Sequence, residues 1–376
     1  MKKIALIGST GSIGRQVLNV VRLHPDKFEI VSLAGGKSRE FFLEQVKEFK
    51  PKVATLIDKI DVSNSNGTEF FFGENAFTNA IIDEADVVVV SLVGFTGIIA
   101  VIEAIKKGKN IALANKESLV VGGELVVKLA KEKGVTIVPI DSEHSALWQA
   151  LDFNFDKPFN KLIITASGGA FRDYSVEQLK TATAKDALCH PNWAMGNKIT
   201  VDCATLVNKA FEVIEAKWLY NTSFDKIDVI IHRESIIHSM VEFIDNSVIA
   251  QLSYPTMELP IQIALTYPKR FNSSVKSLDF KTLKMLTFSE LDNDKYPCFK
   301  LVKECAIKGG AYPAVVNGAN DTAVQLFLQD KIPFSGIYES LENAVQNYDG
   351  SFDGSFESLL EANSFAVRTV KEKYGV

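Results

Sequence analysis

Two carboxylates, two residues apart, are the first candidates for chemistry in this sequence. Asp141 and Glu143 directly follow the apolar run at 135–140, which is typical of a buried strand. In an open α/β sheet, ligands bind in the crevice beyond the carboxyl ends of the strands. We therefore expect the pair to hold a divalent cation. The alternative is a solvated turn in which Asp141 caps a helix at 142–151.

A third carboxylate lies in a stretch that predicts a helix ending near Leu219. Asn208 and Glu212 are four residues apart there, so both occupy one helix face. Glu212 could complete a ligand set with Asp141 and Glu143. Three carboxylates without a pair of Cys or His ligands indicate a site for Mg²⁺ or Mn²⁺ rather than zinc.

Two other predicted strands also end in polar residues. Asn115 and Lys116 follow the strand at 110–114, and Ser167-Gly168-Gly169 follows the strand at 161–166. We expect Asn115 and Lys116 to face the same crevice as Asp141, and the Ser-Gly-Gly turn to offer an anion nest. A surface lysine and an ordinary glycine turn are the alternatives.

The segment at 189–198 contains Pro, Gly and two Asn, a composition that predicts neither helix nor strand. It also carries His190, Trp193 and Met195, large side chains that are unusual in a solvated loop. We expect a lid that closes over a ligand and excludes water, the alternative being a loop packed on the core. A short strand at 198–202 and a helix from Cys203 should follow.

A glycine-rich turn opens the chain. The strand at 3–7 runs into Gly-x-x-Gly-x-x-Gly at 8–14, followed by a helix at about 15–23. Such a turn brings backbone N–H groups against a pyrophosphate. An NAD site usually has an acid after the second strand, here 29–33, whereas Lys37-Ser38-Arg39 follow it. Two cations and a hydroxyl suit a 2′-phosphate, which favours NADPH.

The alternation of strands and helices through the first 140 residues predicts a right-handed, mostly parallel sheet. From Pro297 onward, helical periodicity dominates, at 298–308, 320–328, 336–346 and 356–371. We therefore expect an α/β protein with three domains and a linker. They are a Rossmann-like NADPH-binding domain (1–141), an α+β catalytic and dimerisation domain with the lid (142–267), a linker (268–292) and a C-terminal α-helical domain (293–376).

Composition excludes several classes of protein. Apolar residues make up 47% of the 376 residues, as in ordinary globular proteins, and the net charge of −5 argues against nucleic-acid or anionic-membrane binding. The four cysteines show no C-x-x-C spacing and are expected to be reduced thiols. No run of about 18 apolar residues predicts a membrane span. We expect a cytoplasmic protein.

These motifs together resemble the 1-deoxy-D-xylulose 5-phosphate reductoisomerase family over essentially the whole chain. The D-S-E-H-S and H-P-N-W-A-M-G segments, in this order, are highly specific. The matching segments lie at 8–14, 113–119, 139–146, 165–172, 190–196, 201–212 and 314–320.

The resemblance implies a homodimeric enzyme that uses NADPH and a divalent metal to convert 1-deoxy-D-xylulose 5-phosphate to 2-C-methyl-D-erythritol 4-phosphate in non-mevalonate isoprenoid synthesis. The implied metal ligands are Asp141, Glu143 and Glu212, and the implied catalytic residues are Lys116, Glu143, His190 and Lys209. The implied substrate contacts are Lys116, Ser142, Glu143, Ser167, His190, Trp193, Met195, Cys203, Asn208, Lys209 and Glu212. The implied NADPH contacts are Thr10, Gly11, Ser12, Ile13, Gly36, Lys37, Ser38, Asn115 and Gly196.

The chain departs from the family pattern at three places. Cys203 replaces a usual phosphate-binding serine, Arg233-Glu234 replaces a usual Pro-Gln, and Glu258 stands where a basic residue is common. Because a thiol is a weaker donor than a hydroxyl, we expect a weaker phosphate contact at Cys203. Two other functions remain open: a semialdehyde dehydrogenase with Cys203 or Cys189 as nucleophile, and a non-catalytic NADPH-sensing regulator.

Overall fold

The computed structural model describes residues 1–61 and 67–376. Its strands are β1 (Lys2–Ile7), β2 (Phe28–Ala34), β3 (Val53–Leu56), β4 (Glu69–Phe72), β5 (Val87–Val90), β6 (Asn110–Leu113), β7 (Ile137–Pro139), β8 (Lys161–Ala166), β9 (Ile227–Ile231), β10 (Ile237–Glu242) and β11 (Val248–Leu252). Its helices are α1 (Ser12–Leu23), α2 (Arg39–Phe49), α3 (Gly97–Lys106), α4 (Glu117–Lys133), α5 (Ser142–Ala150), α6 (Val176–Leu179), α7 (Ala184–Ala187), α8 (Asn197–Thr205), α9 (Val207–Leu219), α10 (Glu258–Thr266), α11 (Phe280–Leu283), α12 (Pro297–Lys308), α13 (Tyr312–Leu328), α14 (Ser335–Asn347) and α15 (Phe356–Tyr374).

The first of two compact units, unit 1, comprises Met1–Ser118, Val126–Ser145 and Thr256–Val275. It holds a parallel seven-stranded sheet in the order β4-β3-β2-β1-β5-β6-β7. The central strands β1 and β5 are apolar and buried, as a sheet covered on both faces requires. The strand order reverses between β1 and β5, which creates the crevice where such folds bind ligands.

The glycine turn packs tightly at that reversal. Gly8 has a φ of +96°, and the Ser91 hydroxyl beyond β5 donates to the Ile7 carbonyl at 2.8 Å. A Cβ atom on Gly14 would lie 2.3 Å from the Gly8 carbonyl oxygen. Only glycine at position 14 therefore lets α1 begin directly against the turn, with its N-terminus at the end of β1.

Unit 2 comprises Leu119–Leu125, Ala146–Pro255 and Lys276–Val376. Its four-stranded sheet has the order β11-β10-β8-β9, in which β10 runs antiparallel to both neighbours and β8 pairs in parallel with β9. The four C-terminal helices α12 to α15 are present as expected, and α13 is buried along most of its length. In the described ranges, no helix combines the length and apolar character needed to cross a membrane.

The strand expected at 198–202 is wrong, because this segment lies within α8. Gly196 precedes α8 in an extended conformation, and Thr200 donates through its backbone N–H to the Gly196 carbonyl. Lys198 forms ion pairs of 3.0 Å with Asp202, one turn further along, and with Asp321 of α13. The helix expected to run on from Cys203 is also interrupted, since Leu206 has a φ of +57° and α9 begins after it.

Other boundaries also differ from the prediction. Helix α4, which follows Lys116 directly, begins at Glu117 and includes a kink at Gly122. The helix expected from residue 320 begins at Tyr312, with Pro313 in its first turn. The predicted linker contains α11, and Ser289 pairs with Ile231 of β9. Residues 256–267, which the sequence placed in the catalytic domain, pack within unit 1.

Candidate active site

Asp141 at the end of β7 combines two roles. Its Oδ1 accepts the backbone N–H groups of Glu143 at 3.1 Å and His144 at 3.4 Å, so it caps α5. Its Oδ2 accepts a hydrogen bond from Lys116 Nζ at 2.7 Å, with both side chains only about a tenth exposed. The capping role that was the alternative to a ligand is therefore present, but the turn is buried rather than solvated.

Ser142 and Glu143 are already linked to each other. The Ser142 hydroxyl donates to Glu143 Oε2 at 2.5 Å, and Ser142 is buried while Glu143 is partly exposed. The structure therefore brings four predicted site residues into one hydrogen-bonded cluster at the carboxyl ends of β6 and β7: Lys116, Asp141, Ser142 and Glu143.

Asn115 braces the loop that follows β5. Its Nδ2 donates to the carbonyls of Leu92 and Gly94 and to Glu117 Oε2, each at 3.0 Å. Glu117 Oε1 in turn accepts the Gly94 N–H at 3.2 Å. The amide nitrogen of Asn115 is thus used in hydrogen bonds to the loop and to Glu117. Glu117 was missed from the sequence, although it directly follows Lys116 at the end of a strand.

The predicted cofactor residues lie at the ends of β1 and β2. Thr10 Oγ1 accepts the Gly36 N–H at 3.4 Å, which ties the glycine turn to the loop after β2. Gly11 and Ser12 at the start of α1 are exposed, as are Lys37 and Ser38 before α2, and Ile13 is half-buried. The structure thus brings both predicted halves of the cofactor site to one edge of the sheet.

In unit 2, Glu212 forms the centre of a buried charged group on α9. Asn208 Nδ2 donates to Glu212 Oε1 at 2.5 Å, and Lys209 Nζ forms an ion pair with Glu212 Oε2. All three residues are less than a tenth exposed. Since isolated buried charges are costly, Lys209 and Asn208 stabilise the ionised carboxylate in the interior.

His190 joins the lid segment to the Ser-Gly-Gly turn. Its Nδ1 accepts the backbone N–H groups of Asn192 at 3.1 Å and Trp193 at 3.0 Å, so the ring proton is assigned to Nε2. Nε2 then donates to Ser167 Oγ at 3.0 Å. Burial, with a smaller contribution from Arg172, lowers the pKa of His190 to about 4, so the ring is neutral at pH 7.

Of the lid segment predicted at 189–198, residues 189–196 have no regular secondary structure, as predicted, whereas Asn197 and Lys198 begin helix α8. The Trp193 ring lies edge-on to the His238 ring at 6.1 Å, and Met195 is half-buried. Gly196 is exposed at the start of α8.

Asn192 fastens this lid. Its Nδ2 donates to the carbonyls of Arg233 at 3.1 Å and Glu234 at 3.2 Å, and its Oδ1 accepts from Arg172 Nη1 at 3.1 Å. Asn192 and Arg172 were not singled out from the sequence as site residues, although both lie inside the motifs that carry the resemblance.

The structure shows the contacts of the residues that depart from the family pattern. A Cβ on Gly169 would lie 2.3 Å from the Cys203 carbonyl oxygen, so Cys203 packs directly against the Ser-Gly-Gly turn. Arg233 binds both carboxylate oxygens of Asp173, at 2.6 and 2.8 Å. Glu234 accepts from the Thr287 hydroxyl at 2.7 Å, and Glu258 in unit 1 accepts from Ser274 at 2.7 Å.

Three family models match the chain in succession. They are 1-deoxy-D-xylulose 5-phosphate reductoisomerase at residues 4–123, its C-terminal domain at 137–220, and the DXP reductoisomerase C-terminal domain at 252–369. A 1-deoxy-D-xylulose 5-phosphate reductoisomerase of Caldanaerobacter subterraneus is 47% identical, with all of both chains covered. The chain belongs to the 1-deoxy-D-xylulose 5-phosphate reductoisomerase family. Another member, from Clostridium perfringens, is 44% identical over the full length of both chains.

Solved structures of the family agree over the same length. The Zymomonas mobilis reductoisomerase in complex with NADPH superposes with a TM-score of 0.92 at 34% identity, covering 99% of each chain. A reductoisomerase complex with NADPH, fosmidomycin and magnesium gives a TM-score of 0.93 at 36% identity, covering 100% of this chain and 98% of the other. The predicted family and α/β fold class are confirmed, and the chain is an NADP-dependent oxidoreductase. Membership excludes the semialdehyde dehydrogenase and the non-catalytic regulator.

Proposed function

We propose that Asp141, Glu143 and Glu212 hold the divalent metal with which this chain rearranges 1-deoxy-D-xylulose 5-phosphate and reduces the product with NADPH to 2-C-methyl-D-erythritol 4-phosphate. The observation that carries the assignment is that Asp141 and Glu212 are buried carboxyl groups, each in contact with the ammonium group of a lysine, Lys116 and Lys209. Carboxylate oxygens are the ligands that a hard cation takes in proteins.

The donor chemistry fits Mg²⁺ or Mn²⁺. The proposed ligands are carboxylate oxygens without thiol or imidazole partners, the set that such ions prefer. When bound, the metal would supply Lewis acidity toward the substrate's ketone and its neighbouring hydroxyl.

The chain's own residues position and neutralise the substrate. Lys116 and Lys209 carry ammonium groups beside the carboxylates, from which they can donate to substrate oxygens. Ser142 adds a hydroxyl donor beside Glu143, and Asn208 adds an amide donor beside Glu212. We assign these four residues to the reacting end of the substrate.

The Ser167–His190 pair suits the phosphate end. Ser167 Oγ lies within hydrogen-bonding distance of His190 Nε2 at 3.0 Å and accepts the Gly169 N–H at 3.2 Å. With both donors directed at its oxygen, the hydroxyl proton is free to be donated to a phosphate oxygen. We place Cys203 beside this pair, and Trp193 and Met195 over the bound substrate, where they would exclude water.

The glycine turn receives the cofactor. Gly11 precedes α1, and the backbone N–H groups of Ser12 and Ile13 in its first turn would bind the pyrophosphate of NADPH. Thr10 and Gly36 link the turn to Lys37 and Ser38, which we place at the 2′-phosphate. We add Asn115, which braces the loop after β5, and Gly196 on the nicotinamide side.

Replacing Glu212 by Gln tests the metal site. Loss of one charged ligand should reduce turnover of 1-deoxy-D-xylulose 5-phosphate by about a thousandfold or more, since metal catalysis supplies several kcal/mol. NADPH binding should stay near that of the unaltered protein. The measurements are NADPH oxidation with and without added Mg²⁺ or EDTA, and NADPH titration by fluorescence.

Glu177→Gln is the matched control. Glu177 also pairs with a lysine three residues away, Lys180, but both side chains are largely exposed. This variant should retain full activity. Thermal unfolding of both variants separates ligand loss from destabilisation, because Glu212→Gln removes the ion pair between Lys209 and Glu212. Full activity in Glu212→Gln would remove Glu212 from the metal site, and metal-independent turnover would overturn the proposal itself.

We further propose a cytoplasmic homodimer. Cys189, Cys203, Cys298 and Cys305 are all free thiols, as is usual in a reducing compartment. In β11, at the edge of the sheet in unit 2, Val248 is 49% exposed and Ile249 is 47% exposed. An exposed apolar edge strand is suited to pairing with a second copy of the chain.

A further inference from the structure

Arg15 lies in the first turn of α1, one residue past the glycine turn, and its guanidinium is held in place. Its Nε donates to the Thr10 carbonyl at 3.0 Å, and its Cζ lies 4.2 Å from the centre of the Phe41 ring. Phe41 belongs to the first turn of α2, just after the loop that carries Lys37 and Ser38. Arg15 therefore bridges the glycine turn and the end of β2.

The charge around this place is unbalanced. Arg15, Lys37 and Arg39 are all exposed, and in the described part of the chain none of them forms an ion pair. Other cations of unit 1 do have such partners: Lys27 pairs with Asp26, and Lys52 with Glu84. In a protein with a net charge of −5, three neighbouring cations that form no ion pair in the described ranges favour binding of an anion.

The geometry of Arg15 suits a phosphate in particular. Stacking on Phe41 and the bond to Thr10 use one face of the guanidinium and its Nε, which leaves both terminal amino groups to donate. Two parallel N–H donors match two oxygens of a phosphate group. Because the group is already fixed, little side-chain entropy would be lost on binding.

We propose that Arg15 is a ligand of the adenosine 2′-phosphate and contributes to the choice of NADPH over NADH, together with Lys37 and Ser38. This inference rests on the proposed function, since it requires NADPH to lie on the glycine turn. Thr10 has a positioning role in it: its carbonyl orients Arg15, and its hydroxyl holds Gly36.

The test compares 2′,5′-ADP with 5′-AMP, which differ only in the 2′-phosphate. In the full-length Arg15→Met protein, the dissociation constant of 2′,5′-ADP, measured by calorimetry, should rise about tenfold, as expected for losing one charge-assisted hydrogen-bonded contact. The constant for 5′-AMP should not change. The ratio of the Michaelis constants for NADPH and NADH should shift in the same direction, and Arg15→Lys should recover part of the loss.

Arg22→Met is the matched control. Arg22 lies on the same helix and also stacks on a phenylalanine, Phe49, but it is paired with Glu48 at 2.6 Å. It should leave both dissociation constants unchanged. If Arg15→Met weakened the binding of both nucleotides equally, Arg15 would contact the pyrophosphate or stabilise the fold rather than bind the 2′-phosphate. If the affinity for 2′,5′-ADP did not change, Arg15 would not belong to the 2′-phosphate site. If the unaltered protein bound neither nucleotide, the proposed function would fail instead.

Discussion

At the residue scale, His190 is defined by what its two nitrogens contact. Nδ1 accepts two backbone N–H groups of the lid, and Nε2 contacts Ser167. Burial, then Arg172, disfavours the charged ring and brings its pKa to about 4. A neutral ring with a fixed tautomer orients Ser167, whereas a protonated ring would lose the Nδ1 acceptor and release the lid backbone.

This predicts a pH dependence of the lid contact. The folded-state pKa lies below the ordinary value of 6.5, so the unfolded chain takes up the proton more readily. The contact's contribution to stability should be complete above about pH 6.5 and should be lost as the pH falls toward 4. Nitrogen-15 NMR of the histidines should show the Nε2–H tautomer and a midpoint near 4 for His190, with His190→Gln identifying the signal. A midpoint near 6.5 would contradict it.

At the scale of elements, the lid is held by a network within unit 2. Arg172 follows the Ser-Gly-Gly turn and donates both to Asn192 in the lid and to the Arg233 carbonyl after β9, at 2.9 Å in the second case. The lid segment is thereby connected to two strand ends of one sheet. Its side chains can then meet a ligand in one arrangement, with little ordering left to occur on binding.

Asn192→Ala should loosen the lid. The variant removes three hydrogen bonds, each worth about 0.5–1.5 kcal/mol, and partial solvent exposure places the total near the lower end. We expect kcat/KM for the phosphorylated substrate to fall about tenfold or more, with faster proteolytic cleavage in the lid. Asn192 is a positioning residue. A variant that affected only the chemical step would lower kcat/KM without changing the rate of proteolysis, so proteolysis is the measurement that reports on the lid.

Arg233→Met provides the comparison. It removes the ion pair with Asp173 but keeps the Arg233 carbonyl that Asn192 and Arg172 use. Exposed ion pairs contribute about 0–1 kcal/mol, so this variant should stay close to the unaltered protein. The same loss in both variants, or none in Asn192→Ala, would show that the network does not hold the lid.

At the scale of the whole molecule, the two edges of the sheet in unit 2 differ. Beyond β9, Ile231 pairs with Ser289, so this edge is partly covered. At β11, both Val248 and Ile249 are exposed although neighbouring residues of a strand point to opposite faces. An edge that is apolar on both faces is the place where we expect the partner subunit.

Ile249→Lys should shift the homodimer toward monomer. A charge on the edge strand opposes pairing with another strand, a device that natural sheets use against association. Light scattering after size-exclusion chromatography should show the change in mass. Val176→Lys, at an exposed apolar residue of α6, should leave the mass unchanged. A monomeric unaltered protein, or a dimer that persists in Ile249→Lys, would place the interface elsewhere or exclude it.

The sequence by itself determined the elements whose signals are local and strong. The buried run of β5, the glycines of the turn at 8–14 and the polar residues ending β6 and β7 each predict their structure without distant partners. They were sufficient to predict the parallel sheet and the cofactor edge, whereas the family resemblance depended on the D-S-E-H-S and H-P-N-W-A-M-G segments. In such segments, burial pattern and backbone sterics agree on one conformation.

Tertiary structure decided what depends on distant partners. The β-branched run at 199–201 predicts a strand, but Lys198 contacts Asp202 and Asp321 only in a helix that packs on α13. The sequence offers Asp141 as a helix cap. The structure shows that it also forms an ion pair, because Lys116 follows the neighbouring strand β6. The position of Arg15 likewise follows from Phe41 on another helix. The local sequence does not determine one conformation for short apolar segments or for surface cations. Contacts with residues far along the chain therefore select it.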